Sequence, residues 1–125
     1  MKNIGSNFII FKLVWSTWIV SMNRTIYSID EIKKIIEPIA IKYDVDSIFL
    51  FGSYARGEAS SSSDIDFIIE KGRLRGLQLA GMLCDLQELF NKEVDLLTFS
   101  GINNSKDNYC FKRNVEKEMI IVYGQ

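Results

Sequence analysis

A glycine–serine pair ends one apolar run, and two aspartates open another ten residues later. The stretch Phe49–Glu70 reads FLFGSYARGEASSSSDIDFIIE. It holds Gly52-Ser53, ten intervening residues, and then Asp64-Ile65-Asp66. Ser47-Ile-Phe-Leu-Phe-Gly52 is β-branched and aromatic, which predicts a strand buried on both faces and stopped by the glycine. Tyr54–Gly57 suits one helical turn, and Glu58–Ser63 reads as a flexible polar loop. Asp64–Glu70 reads as a second strand, closed by Lys71-Gly72-Arg73.

The flanking segments read as support for this unit. Ser28-Ile-Asp-Glu31 forms a capping box, with the Ser28 hydroxyl accepting a helix N–H and Glu31 reaching back. Ile29, Ile32, Ile35, Ile36, Ile39 and Tyr43 then recur at helical spacing, while Lys33, Lys34 and Glu37 point away. Pro38 is expected to kink or break that helix, because it lacks an N–H and crowds the preceding turn. Leu74, Leu77, Met82, Leu83, Leu86, Leu89 and Phe90 predict an amphipathic helix over 74–90, weakened by Gly76 and Gly81. Glu93–Phe99 reads as a third strand and residues 100–107 as a polar loop. Asn108–Met119 reads as a last helix with Tyr109, Cys110, Val115 and Met119 inward, and Ile120–Tyr123 as a strand or an apolar tail. The order predicts an α/β (α+β) two-layer sandwich: a small mixed sheet of three to four strands with helices mainly on one face.

The spacing of the acids has a chemical reading. Side chains two apart on a strand share a face, so Asp64 and Asp66 stand together while Ile65 and Phe67 turn to the core. Two carboxylates that close resist ionising together, and a divalent cation relieves them. Oxygen-only ligation with substrate phosphates is the habit of Mg²⁺. A third carboxylate is expected from a neighbouring strand. Asp95 in Glu93-Val-Asp-Leu-Leu-Thr-Phe99 suits it, with Glu93 as the rival two residues earlier. Gly52 would let backbone approach a phosphate, the Ser53 hydroxyl and the N–H groups of the turn would hold its oxygens, and Arg56 could add charge. Taken singly these features are ordinary: a turn, a solvated strand edge, a surface arginine. Together they describe a site for a nucleoside triphosphate and metal ions, suited to phosphoryl or nucleotidyl transfer.

Composition narrows the alternatives. At 125 residues and 47% apolar, one domain with a real core is expected. The absence of histidine removes His general bases, Ser-His-Asp triads and most zinc sites. A formal net charge of −1 argues against a domain living on non-specific phosphate contacts. Cys84 and Cys110 form no CxxC pair and read as buried free thiols. Residues 1–22 differ from the rest. Phe8–Val20 is apolar and aromatic, interrupted by Lys12, and shorter than the roughly 20 residues that span a bilayer. A signal peptide and a membrane-surface or partner-docking segment compete with the favoured reading, an extension outside a functional domain of 23–125, with Met22 as an alternative start.

At FGSYARGE (Phe51–Glu58), SDIDFII (Ser63–Ile69) and VDLL (Val94–Leu97) the chain resembles the nucleotidyltransferase superfamily that includes DNA polymerase β. More narrowly it resembles the minimal nucleotidyltransferase (MNT) proteins, many of them antitoxins encoded beside HEPN-domain toxins. The resemblance covers roughly residues 25–123. It implies the nucleotidyltransferase fold, triphosphate contacts at Gly52 and Ser53, and metal binding at Asp64 and Asp66. It further implies that Asp95 binds the catalytic metal and helps activate the attacking hydroxyl, and it matches Arg56 to an arginine frequent in the subgroup. Two Mg²⁺ ions, ATP as substrate, and transfer of AMP to a tyrosine of a HEPN-type RNase toxin in the cytoplasm follow from the same resemblance. No direct nucleic-acid partner and no stable membrane insertion are expected. Two other readings stay open: an antitoxin that acts by binding alone, with the site idle, and a small-molecule nucleotidyltransferase of antibiotic-modifying type completed by a partner subunit.

Overall fold

A computed structural model describes residues 25–70, 72–103 and 109–124, the side chains of 103 and 109–112 excepted. The reading of residues 1–22 as an extension, and the inward placement of Tyr109 and Cys110, lie outside the described residues. In chain order the elements are α1 (Ile29–Tyr43), β1 (Ser47–Phe51), α2 (Gly52–Arg56), β2 (Ile65–Glu70), α3 (Gly76–Phe90), β3 (Val94–Thr98), α4 (Phe99–Asn103), α5 (Tyr109–Glu118) and β4 (Ile120–Tyr123). The four strands form one mixed sheet in the order β3-β2-β1-β4. β1 pairs antiparallel with β2 and β4, and β2 pairs parallel with β3. That parallel pair needs a crossover, which α3 supplies.

The capping box forms as expected. The Glu31 N–H donates to Ser28 Oγ at 3.1 Å and the Ser28 N–H donates to Glu31 Oε1 at 3.0 Å. Ser28→Ala should therefore cost about 1 kcal/mol, read as a lowered urea midpoint with unchanged m-value. Pro38 does not break α1, which runs uninterrupted to Tyr43. Pro38 lies on the solvent side with Lys34, whose carbonyl loses the helical bond that Pro38 cannot donate. The helix ends at Asp44, whose left-handed φ of 53° turns the chain toward β1.

α1 and α3 cover one face of the sheet, where Ile32, Ile36, Ile48, Leu50, Phe67, Ile69, Met82, Leu86 and Phe90 are fully buried. The opposite face carries a smaller cluster of Phe51, Ile68, Ile102 and Val115 under α4 and α5. α4 falls where a polar loop was expected; Ile102 anchors it, and Phe99 packs edge-on to Phe49 with ring centroids 5.4 Å apart. The inward reading of α3 holds only in part. Met82, Leu86 and Phe90 recur every four residues and bury, whereas Leu77 is 89% exposed and Cys84 is an exposed free thiol, not a buried one. Both lie off the stripe that meets the sheet. Among the described residues no helix is long and apolar enough to cross a membrane.

Candidate functional site

Alternation along β2 sends Ile65, Phe67 and Ile69 to the thickly covered face and leaves Asp66 on the thinner one. Register then sets its neighbours. Phe51 of β1 and Asp95 of β3 are the direct cross-strand partners of Asp66. Adjacent strands lie about 4.8 Å apart, so Asp66 and Asp95 are forced side by side, and their carboxyl groups share a hydrogen bond. Asp95 is exposed and Asp66 half-buried. Glu93, the rival third acid, precedes the strand, and its carbonyl accepts the Ile65 N–H at 3.0 Å. Register thus selects Asp95.

Burial pushes the Asp66 carboxyl up to about 7, helped by the hydrogen bond and charge of Asp95 and by the charge of Asp64, with Arg56 pulling the other way. In the fold Asp66 therefore holds a proton more tightly than an ordinary aspartate at 3.8. The stability this gives the metal-free chain is complete below about pH 3.8, declines as pH rises, and is gone above about 7. Bound metal needs the ionised form, so affinity should run the opposite way. Mn²⁺ titrations followed by electron paramagnetic resonance should tighten from pH 6 to pH 8, while metal-free thermal stability falls over the same range.

Gly52 backs directly onto this carboxyl. Its φ is +73°, and a Cβ built there would overlap Asp66 Oδ2. The glycine therefore serves both the backbone turn and the close approach. Ser53 follows with a half-exposed side chain, and its carbonyl accepts the Glu58 N–H at 2.9 Å, closing α2. Tyr54 of the same segment turns into the core.

Arg56 is near enough to act on Asp66, but its own bonds go to carboxylates. Nε donates to Glu58 at 2.9 Å and Nη1 donates to Glu118 at 3.1 Å, tying α2 to the end of α5. Asp64 precedes β2, is exposed, and acts on Asp66 through its charge. Among the described residues no three acidic or metal-binding side chains stand close enough together to hold a metal ion. The set is instead a contacting pair with a third carboxylate alongside. That suits Mg²⁺, which takes one or two carboxylates and completes its shell with phosphates and water.

The segment expected to be flexible is a closed turn. Ser63 N–H donates to the Ser60 carbonyl at 3.1 Å, and Ser60 N–H donates to Ser63 Oγ at 2.8 Å. Lys92, which the sequence reading passed over, crosses to this turn and donates from Nζ to the Ser61 carbonyl at 2.8 Å. It is 3% exposed. Burial holds its ammonium below the usual lysine range, and the charge of Asp64 opposes that shift. Its position between the end of α3 and the start of β3 was visible in the sequence, but a lysine between polar neighbours gives no sign of burial.

Comparison with known proteins places these features in context. The family profile described as the nucleotidyltransferase domain matches residues 29–122. MJ0435 of Methanocaldococcus jannaschii, provisionally named a protein adenylyltransferase, is 43% identical over 77 residues, which is 61% of this chain and 83% of that protein. MJ0126 of the same organism, named likewise, is 36% identical over 103 residues, covering 76% of this chain and 98% of its own length. In structure the chain is similar to one in a toxin–antitoxin complex solved with AMP-PNP, with a TM-score of 0.60 at 21% identity over 74% of this chain and 73% of that one. It is also similar to a chain in the complex of a tri-AMPylated Shewanella oneidensis HEPN toxin with its MNT antitoxin. There the TM-score is 0.51 at 20% identity, over 78% and 70% of the two chains. At these identities the structural likeness is one of fold.

Proposed function

The chain belongs to the nucleotidyltransferase domain family, and from that premise we propose that it transfers AMP from ATP to a hydroxyl of a partner protein. The observation that carries this reading is the in-register contact of Asp66 with Asp95, backed by Gly52. Asp64, Asp66 and Asp95 would hold Mg²⁺, two ions in the full complex. Bound Mg²⁺ supplies charge neutralisation for the triphosphate and for the oxygens of an in-line displacement.

The chain's own groups do the rest. The backbone at Gly52 admits a phosphate close to the sheet, and the Ser53 hydroxyl donates to it. Arg56 exchanges a carboxylate partner for a phosphate oxygen. Asp95, the more exposed of the contacting pair, is the carboxylate an acceptor hydroxyl can reach, and it helps draw off the proton. The acceptor oxygen bonds to the α-phosphorus as the bond to pyrophosphate breaks.

The acceptor we assign is a tyrosine of a HEPN-type RNase toxin in the cytoplasm, and its modification neutralises the toxin. The likeness in fold to chains of toxin–antitoxin complexes, and the naming of the archaeal relatives, support this assignment. The test is to mix the chain with a HEPN-type toxin of the same genome, α-labelled ATP and Mg²⁺, and to follow label by gel and mass spectrometry. Label on a toxin tyrosine is expected. A stable complex that takes up no label would overturn transfer and leave neutralisation by binding.

A further inference from the structure

Lys92 is the one charged side chain among the described residues that is buried, and it lies beside the candidate site. Burying an ammonium costs several kcal/mol unless charge and hydrogen bonds offset it. Capping one turn carbonyl would not need a charge, since water or a neutral amide does it. The charge that acts on Lys92 is that of Asp64.

The connections around Asp64 explain the arrangement. Three residues before it, the Ser61 carbonyl takes the Lys92 ammonium at 2.8 Å. One residue after it, the Ile65 N–H donates to the Glu93 carbonyl at 3.0 Å. Both pins come from the same two-residue step, Lys92-Glu93, at the entrance to β3. Val94 then pairs with Ile65, and Asp95 with Asp66. The backbone carrying Asp64 is therefore clamped to the strand that carries Asp95. Among the described residues, the other hydrogen bonds of the serine turn run within the turn itself, and its pairing with β3 starts at Ile65.

We propose that Lys92 is a positioning residue. Through the Ser61 carbonyl and its charge toward Asp64, it fixes the third carboxylate relative to the Asp66–Asp95 pair and so sets the affinity of the site for a divalent cation. This rests on the reading of those carboxylates as the metal-binding set. Partners that hold metal ligands in place are typically worth about 10- to 100-fold in affinity.

The experiment compares wild type, Lys92→Met and Lys92→Arg. Mn²⁺ affinity is measured by electron paramagnetic resonance at pH 8, and amide hydrogen exchange is measured across residues 58–66. Methionine keeps the unbranched apolar stem and removes the charge. Lys92→Met should raise the Mn²⁺ dissociation constant about tenfold and speed exchange in the serine turn, leaving the exchange of α1 and α3 unchanged. Lys92→Arg should restore most of both. Faster turn exchange with unchanged Mn²⁺ affinity would make Lys92 a structural clamp only and overturn the proposal. Equal affinity and equal exchange would overturn it as well. A wild-type chain that binds no Mn²⁺ would instead sink the metal-site reading on which the proposal stands.

Discussion

Asp66→Asn should abolish nucleotidyl transfer, by on the order of 10³-fold or more, and leave the metal-free chain at least as stable as wild type at pH 8. The two effects have one cause. Asp66 is half-buried, in contact with Asp95 and near Asp64, and its carboxyl is pushed up to about 7. At pH 8 it is ionised against that cost. The amide removes the charge, keeps the shape, and can still donate to Asp95. The gain should be about 1–2 kcal/mol, the lower part of what the shift implies, because solvent reaches half the group. The gain should shrink toward acid pH, where wild-type Asp66 is protonated and already resembles the amide. Chemical denaturation at pH 5 and pH 8 checks stability, and label transfer checks function. A variant that loses both together would show that Asp66 is a packing residue. A variant that keeps full transfer would remove it from the chemistry.

Gly52→Ala should damage both stability and metal binding, and Gly57→Ala provides its control. Both glycines have φ of +73°, where an alanine costs about 1–2 kcal/mol. They differ in surroundings. A Cβ at Gly57 meets nothing within 4 Å, whereas one at Gly52 overlaps the Asp66 carboxylate. Gly57→Ala should therefore lose about 1 kcal/mol and keep its Mn²⁺ affinity. Gly52→Ala should lose roughly 2–4 kcal/mol and most of its metal affinity, because either Asp66 or the β1–α2 corner has to move. Denaturant midpoints and Mn²⁺ titrations on the two variants separate the backbone cost from the collision. Equal losses in both would mean that the Gly52–Asp66 approach does not matter.

The sequence alone determined what depends on local order. The apolar runs of β1 and β2, the capping box of α1, the strand position of Asp66, and the glycine at the strand end are properties of neighbouring residues; Asp64, expected on the same strand, lies just before it. Each could be read without knowing what lies across the fold. Asp95 is unremarkable alone; it was legible only because its strand suited a third carboxylate beside the Asp64-Ile65-Asp66 pair and the resemblance to nucleotidyltransferases pointed to it. Tertiary structure decided what depends on pairing at a distance. Only the parallel register of β2 with β3 places Asp95 rather than Glu93 beside Asp66. Only packing on the sheet exposes Leu77 and Cys84 on a helix whose sequence is apolar on several sides. Pro38 carries a local cost, yet the helix runs through it to Tyr43 with Pro38 on the exposed side. Arg56 could be read from sequence as added charge for a phosphate, whereas its pairing with Glu118 joins residues 62 positions apart. Lys92 is the extreme case. Its burial and its bond to Ser61 arise where a helix end, a turn and a strand entrance meet, so no window of sequence contains them.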